Sequence, residues 1–235
     1  DEASKGDLSD FKVVDYADYI LSACVTITRD TTDPTIKAII IDFGPTNCLC
    51  KDNRYRRGKI FISHTRGYNK KGYWDSLASI TITTADLNGN NTYFVGKDPN
   101  AMNQVISTKT ITNNGHNAAH HLNWSINTRG KIIKAVNPST GVGKMITWTS
   151  NRVREMIADE KTFFNSHDNV FSIRGTASGT HANGNSFTAT ITSPLITGTL
   201  GTSAGTPSQR CRWFTAGTFE MVPSGKPVRY VDFSP

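Results

Sequence analysis

The sequence predicts an all-β fold: a large antiparallel meander forming a curved sheet or sandwich, with one short N-terminal helix. Composition gives the first reason, since 20 Ile, 12 Val and 30 Thr stand against 8 Leu and 4 Glu. β-Branched side chains favour the pleated surface and the best helix formers are scarce. The second reason is period-two alternation, as in Ser79 to Thr84 (SITITT), where Ile alternates with Thr. One sheet face is then apolar and the other hydroxylated. The third is turn chemistry: 19 Gly and 19 Asn supply positive-φ positions between the alternating runs. Helix bundles and α/β enzymes are excluded on these grounds.

Residues 1–10 are polar and acidic and read as a flexible leader, with 11–235 as a single β domain. Phe11 to Ala23 spaces Phe11, Val14 and Ile20 near helical period behind Ser9 and Asp10 as caps, which predicts the one helix. From Cys24 onward the runs CVTITRD, TIKAIIIDFG and GKIFISHT read as strands. SITITTADLNGNNTYFVG and STKTITNNGHNAAHHLNWSINT then read as strand, turn, strand. KIIKAV, KMITWTSNRVREMI, VFSIRGTASG, NSFTATITSPLI and RWFTAGTFEMV continue the rhythm, for ten to twelve strands in all. The clearest turns are Asn113-Asn114-Gly115 and Ala182-Asn183-Gly184-Asn185; Lys97 to Gln104 and Thr197 to Ser208 break the pattern as loop and linker.

Charge is unevenly placed. The net charge is +7, yet residues 1–18 hold six acids and two Lys, while Lys51 to Lys71 holds eight basic residues and one acid. Lys51, Arg54, Arg56, Arg57 and Lys59 are therefore anion-binding candidates, dense enough to hold phosphate or carboxylate. The competing reading pairs them with Asp42 and Asp52 in a structural network, and the balance leans to that one. The even set Cys24, Cys48, Cys50 and Cys211 lacks zinc-site spacing and reads as a disulfide set of an exported protein. A bridge between Cys48 and Cys50 would be strained, so at least one of them is expected to pair with Cys24 or Cys211. The chain starts at Asp1 without Met, which fits the removal of an export leader.

The run D-F-G-x-x-N-C-x-C-x-D-x-R-x-R-R-G-K-I, from Asp42 to Ile60, resembles exported lipoproteins of Bacteroidota bacteria. The likeness extends through Thr110-x-Thr112-Asn113-Asn114-Gly115, Thr147-Trp148, Arg152-x-Arg154-Glu155, Gly175-x-Ala177-Ser178-Gly179, Cys211-Arg212-Trp213 and Pro223-Ser224-Gly225-Lys226-Pro227. It covers residues 36 to 235 and carries no activity with it. It implies a processed lipoprotein of the cell envelope, periplasmic or at the cell surface, attached peripherally through an N-terminal lipid on a Cys upstream of Asp1. It also implies a further Cys-containing strand pair past Asp232.

Other constellations are weaker. His116, His120 and His121 follow a hairpin turn with no acid close in sequence, so no metal and no cofactor is expected. Gly201-Thr202-Ser203-Ala204-Gly205 has the letters of a nucleophile elbow but sits in a small-residue linker. Glu155, Asp159, Glu160 and Asp168 are the only carboxylate cluster after residue 18 from which a glycosidase pair could come. Trp74, in GYWDS, is the aromatic most expected at a surface, whereas Trp148 and Trp213 lie in apolar alternation. The expectation is a non-enzymatic envelope protein that binds an envelope protein or a glycan on a sheet face, with no specific nucleic acid. A glycan-acting hydrolase and a polyanion binder through residues 51–71 are the alternatives.

Overall fold

The computed structural model describes residues 22–30, 36–65, 74–86, 89–136, 143–158, 169–197 and 214–233. They form fourteen strands: β1 (Thr26–Asp30), β2 (Ile36–Asp42), β3 (Cys48–Leu49), β4 (Tyr55–Arg57), β5 (Lys59–Thr65), β6 (Ser79–Thr83) and β7 (Phe94–Gly96), followed by β8 (Asn103–His116), β9 (Leu122–Ile133), β10 (Met145–Ala158), β11 (Val170–Thr180), β12 (Ser186–Thr197), β13 (Phe214–Pro223) and β14 (Arg229–Asp232). The all-β antiparallel prediction holds. The strand count exceeds the predicted one because β3, β4 and β7 span only two or three residues each, too short for alternation to reveal. The helix expected over Phe11 to Ala23 falls almost wholly outside the described residues, whose last members, Ser22 and Ala23, are not helical.

All strands join one sheet in the order β1-β2-β5-β6-β8-β9-β10-β11-β12-β13-β14, with β3, β4 and β7 in a side branch attached to β8. Chain neighbours are mostly sheet neighbours, as a meander requires. The Ile/Thr alternation separates the faces as expected. Ile80 and Ile82 of β6 turn toward a core of Ile62, Ile111, Leu122, Trp124, Ile126, Met156 and Phe171. Thr81 and Thr83 turn the other way, and Thr83 Oγ1 lies 3.2 Å from Thr108 Oγ1 on β8.

One predicted turn is placed elsewhere. Asn113-Asn114-Gly115 lies inside β8, where the register against β9 slips between Asn113 and Gly115. The chain reverses instead at Asn117 to His120, closed by Asn117 N–H donating to His121 O at 3.0 Å. A bulge and a hairpin turn both use a positive-φ glycine, and Gly115 has φ 77°. The Ala182 to Asn185 turn is as predicted, between β11 and β12.

A second core cluster sits under the side branch: Phe43, Cys48, Cys50 and Tyr93, flanked by Val25, Ile41, Ile60, Val95 and Val105. The Cys24–Cys48 disulfide ties the segment before β1 to this cluster. The bridge thus forms through Cys48, and Cys50 stays a buried free thiol. Cys211 lies outside the described residues.

Candidate functional site

The five basic candidates lie on and around the β3–β4 hairpin. Its tight turn is closed by Cys50 N–H donating to Arg54 O (2.9 Å) and Asn53 N–H donating to Cys50 O (3.0 Å). That turn brings Asp52 back over β4, where Arg56 Nη1 and Nη2 donate to its two carboxylate oxygens, each at 2.7 Å. The Arg56 hydrogen bond, against a smaller opposing effect of burial, holds the Asp52 carboxyl below its usual value of 3.8. One bend later Lys59 Nζ lies 2.9 Å from Asp42 Oδ2. Burial raises Asp42, and the hydrogen bonds from Lys59 and the Gly44 N–H outweigh it, so the carboxyl ends lowered. The Arg57 guanidinium stacks 4.1 Å from the Phe94 ring centroid, and its Nη1 donates to Asn47 Oδ1 at 3.5 Å. Lys51 and Arg54 are exposed. Arg56 and Lys59 thus pair with Asp52 and Asp42, the two acids of the motif, while Arg57 lies against Phe94 and Asn47.

Trp74 packs its ring edge-on against Trp124 at 5.6 Å and borders the main core, half-buried. It adds to the core what it would have lent a surface. Trp213, Asp159, Glu160, Asp168 and the Gly201–Gly205 run lie outside the described residues.

Sequence spacing missed a pair that the β9–β10 register creates. Asn123 is opposite Glu155, so His121, two residues earlier, reaches the Glu155 carboxylate with Nδ1 2.7 Å from Oε1. Asn117 Nδ2 donates to the same oxygen at 2.8 Å. The His121 and then the Asn117 hydrogen bonds lower the Glu155 carboxyl despite some burial. The His-rich turn thus does have an acid beside it, supplied from 34 residues away. Among the described residues, no three His, Cys, Asp or Glu side chains gather as a metal would need.

A further feature is the hydroxylated face of the long strands. Register aligns Ile106, Lys131, Thr147, Thr180 and Ser186 in one row across β8 to β12, and Thr108, Arg129, Thr149, Ser178 and Thr188 in the next. Asn127 and Asn151 begin a third row with Thr110. Together these line an open depression of about 1180 Å³, and Thr176, Thr188 and Thr190 carry a smaller one beside it. Cross-strand hydroxyl pairs hold the rows: Thr147 to Thr180 at 2.8 Å, Thr149 to Ser178 at 2.9 Å and, further along, Thr192 to Thr218 at 2.8 Å. Such pairs stabilise a sheet by about 0.2–1 kcal/mol each and fix where each hydroxyl stands. The depression offers donors and acceptors in a regular lattice, Thr methyls between them, and two cations along one side.

No protein-family model, curated protein or solved structure matches this chain.

Proposed function

We propose that this protein is a non-enzymatic binding protein of the cell envelope that holds a glycan on the hydroxylated face of β8 to β12. The observation that carries the reading is the lattice itself: Thr, Ser and Asn side chains from five strands line one open depression of about 1180 Å³. A sugar polymer presents hydroxyls at regular intervals and apolar C–H patches between them, and this face offers the complement of both. Arg129 and Lys131 direct the preference toward acidic sugars, whose carboxylates make the stronger charge-assisted hydrogen bonds. Support for an envelope location comes from the Cys24–Cys48 bridge, since disulfides persist in oxidising compartments. The resemblance of the Asp42 to Ile60 run to exported lipoproteins adds the membrane attachment to the same reading. The hydrolase alternative has less support, because Glu155 already serves His121 and Asn117.

Isothermal titration with polygalacturonate oligomers, and with dextran as the neutral control, tests the assignment. Polygalacturonate should bind, dextran more weakly, and the double variant Arg129→Ala/Asn151→Ala should lose at least tenfold in affinity with an unchanged melting temperature. Binding that survives this double variant but is lost in Arg54→Ala would move the site to the β3–β4 hairpin and overturn the assignment. So would the absence of binding to either polymer.

A further inference from the structure

The opposite face of the same strands carries charge where alternation calls for apolar side chains. On β10, Trp148, Ser150, Arg152 and Arg154 share that face, aligned with Gly130, Thr128, Ile126 and Trp124 of β9, and β8 adds Lys109 across from Thr128. Burial, and then the neighbouring Arg152 and Arg154, pull the Lys109 pKa from 10.5 down to about 8. Burial also lowers Arg152. Arg154 is anchored, its guanidinium 3.5 Å from the Phe171 ring centroid.

Arg152 has no such anchor. Among the described residues it forms no ion pair, and its Nε is buried without a hydrogen-bond partner. Thr128 Oγ1 and Ser150 Oγ, adjacent across the β9–β10 register, are likewise buried and unpartnered. Buried polar atoms are nearly always satisfied, so three unsatisfied donors together call for an acceptor. Arg152 borders a cavity of about 70 Å³ whose other walls are Gly175, Ala177, Ala189, Ile191 and Phe219, with Thr176 and Thr190 between them. Its floor depends on Gly175, at φ 142°, where a Cβ would come 2.2 Å from Asn151 O and 3.1 Å from Arg152 Cγ. The arginine stem therefore lies against bare backbone, and the residue borders the cavity.

We propose that Arg152, with the Thr128 and Ser150 hydroxyls and Lys109, binds an oxyanion, carboxylate or phosphate monoester, carried on a short aliphatic group that enters this cavity. The positive charge and the three unpartnered donors select the anion; the Ala, Ile and Phe lining selects the alkyl part. This site uses the alternate side chains of the same strands; Thr128 also borders the glycan depression, and Thr176, Ala177, Ala189 and Thr190 border both the cavity and the smaller hollow beside that depression.

Isothermal titration of the full chain with n-butyl phosphate and with butyrate, against inorganic phosphate and acetate, tests the site. At least one alkyl ligand should bind, at least tenfold more tightly than the anion lacking the chain. Which of the two binds better identifies the headgroup, and either supports the site. Arg152→Gln should weaken it at least tenfold, and Thr128→Val/Ser150→Ala at least threefold. Asn151→Ala, on the other face, should leave it unchanged. Circular dichroism checks each variant for folding. If Arg152→Gln does not fold, the Thr128/Ser150 pair, which only removes hydroxyls, carries the test. Absence of binding to the wild-type chain, equal affinity for inorganic phosphate and n-butyl phosphate, or undiminished affinity in the folded variants would overturn the proposal.

Discussion

Replacing Arg56 by Ala should lower the stability of this protein by about 3 kcal/mol, and most of that loss should be coupled to Asp52. The geometry sets the magnitude. Exposed ion pairs contribute only about 0–1 kcal/mol, but Arg56 and Asp52 meet through two parallel hydrogen bonds of 2.7 Å with side chains only 13% and 34% exposed. Charge-assisted bonds in such partial burial are worth about 1.5–3 kcal/mol. The aliphatic stem adds packing against the cluster around Phe43, whose ring centroid lies 6.0 Å from the guanidinium carbon. Urea denaturation of the wild type, Arg56→Ala, Asp52→Ala and the double variant gives a cycle whose coupling energy should be about 2 kcal/mol. In a domain of this size that corresponds to a melting shift of about 4–8 °C. The pH dependence has a fixed sign. Asp52 is lowered from its usual 3.8 in the folded state, so the pair's stabilisation is fully present above about pH 4 and is lost as pH falls through the folded value. The difference between wild type and Arg56→Ala should therefore be constant from pH 7 to about pH 5 and shrink in more acid solution. A coupling energy below about 0.5 kcal/mol at pH 7 would refute the structural role of this arginine.

Two further perturbations follow from the same region. Gly58→Ala should destabilise the protein by more than about 3 kcal/mol in urea melts, because residue 58 has φ 82° and a Cβ there would stand 1.9 Å from the Thr92 carbonyl oxygen; a loss under about 1 kcal/mol would show that the bend can relax. Cys24→Ser/Cys48→Ser removes a bridge that closes a separation of 24 residues and should cost about 3 kcal/mol in the same assay, whereas equal stability of the variant and the oxidised wild type would contradict a structural disulfide.

The two-faced sheet was legible because its signal is repeated. In Ser79–Thr83 each Ile and each Thr reports its face independently, and a one-residue slip would bury every hydroxyl at once. The Asn113-Gly115 bulge was not legible, since the glycine that permits it permits a hairpin turn equally well; what decides is the pairing of β8 with β9 on both sides of it. The His121–Glu155 contact depends on a register that no local spacing encodes. Within Asn151-Arg152-Val153-Arg154-Glu155 the usual expectation would turn Val153 inward. It is instead 43% exposed while Arg154 is buried beside Trp124, because Met156 and Trp148 fix the phase of β10 and the arginines follow. The basic segment was half legible: the nearby acids were visible, but which cation each would hold depended on the turn at Asn53.

Both sites then rest on one feature of the backbone. Asn151 and Arg152 are neighbours in sequence and belong to opposite faces, the first to the hydroxylated depression and the second to the anion pocket. The same holds for Thr128 and Arg129 and for Thr149 and Ser150. A slip of one residue would exchange the two sets and leave neither site intact. Register is continuous between β9 and β10 from Met145 to Glu155, and the β10 irregularity falls at Met156 to Ala158; the β11–β12 slip between Ile173 and Thr176 falls at Gly175, in the wall of the cavity. Among the described residues the main strand order ends in short strands: β1 has five residues, including Arg29, and β14 has four, including Arg229 and Asp232. Short, charged edges resist pairing with other chains. The long central strands are thereby free to use both faces for chemistry, because the pairing that fixes their phase is settled by neighbours on either side.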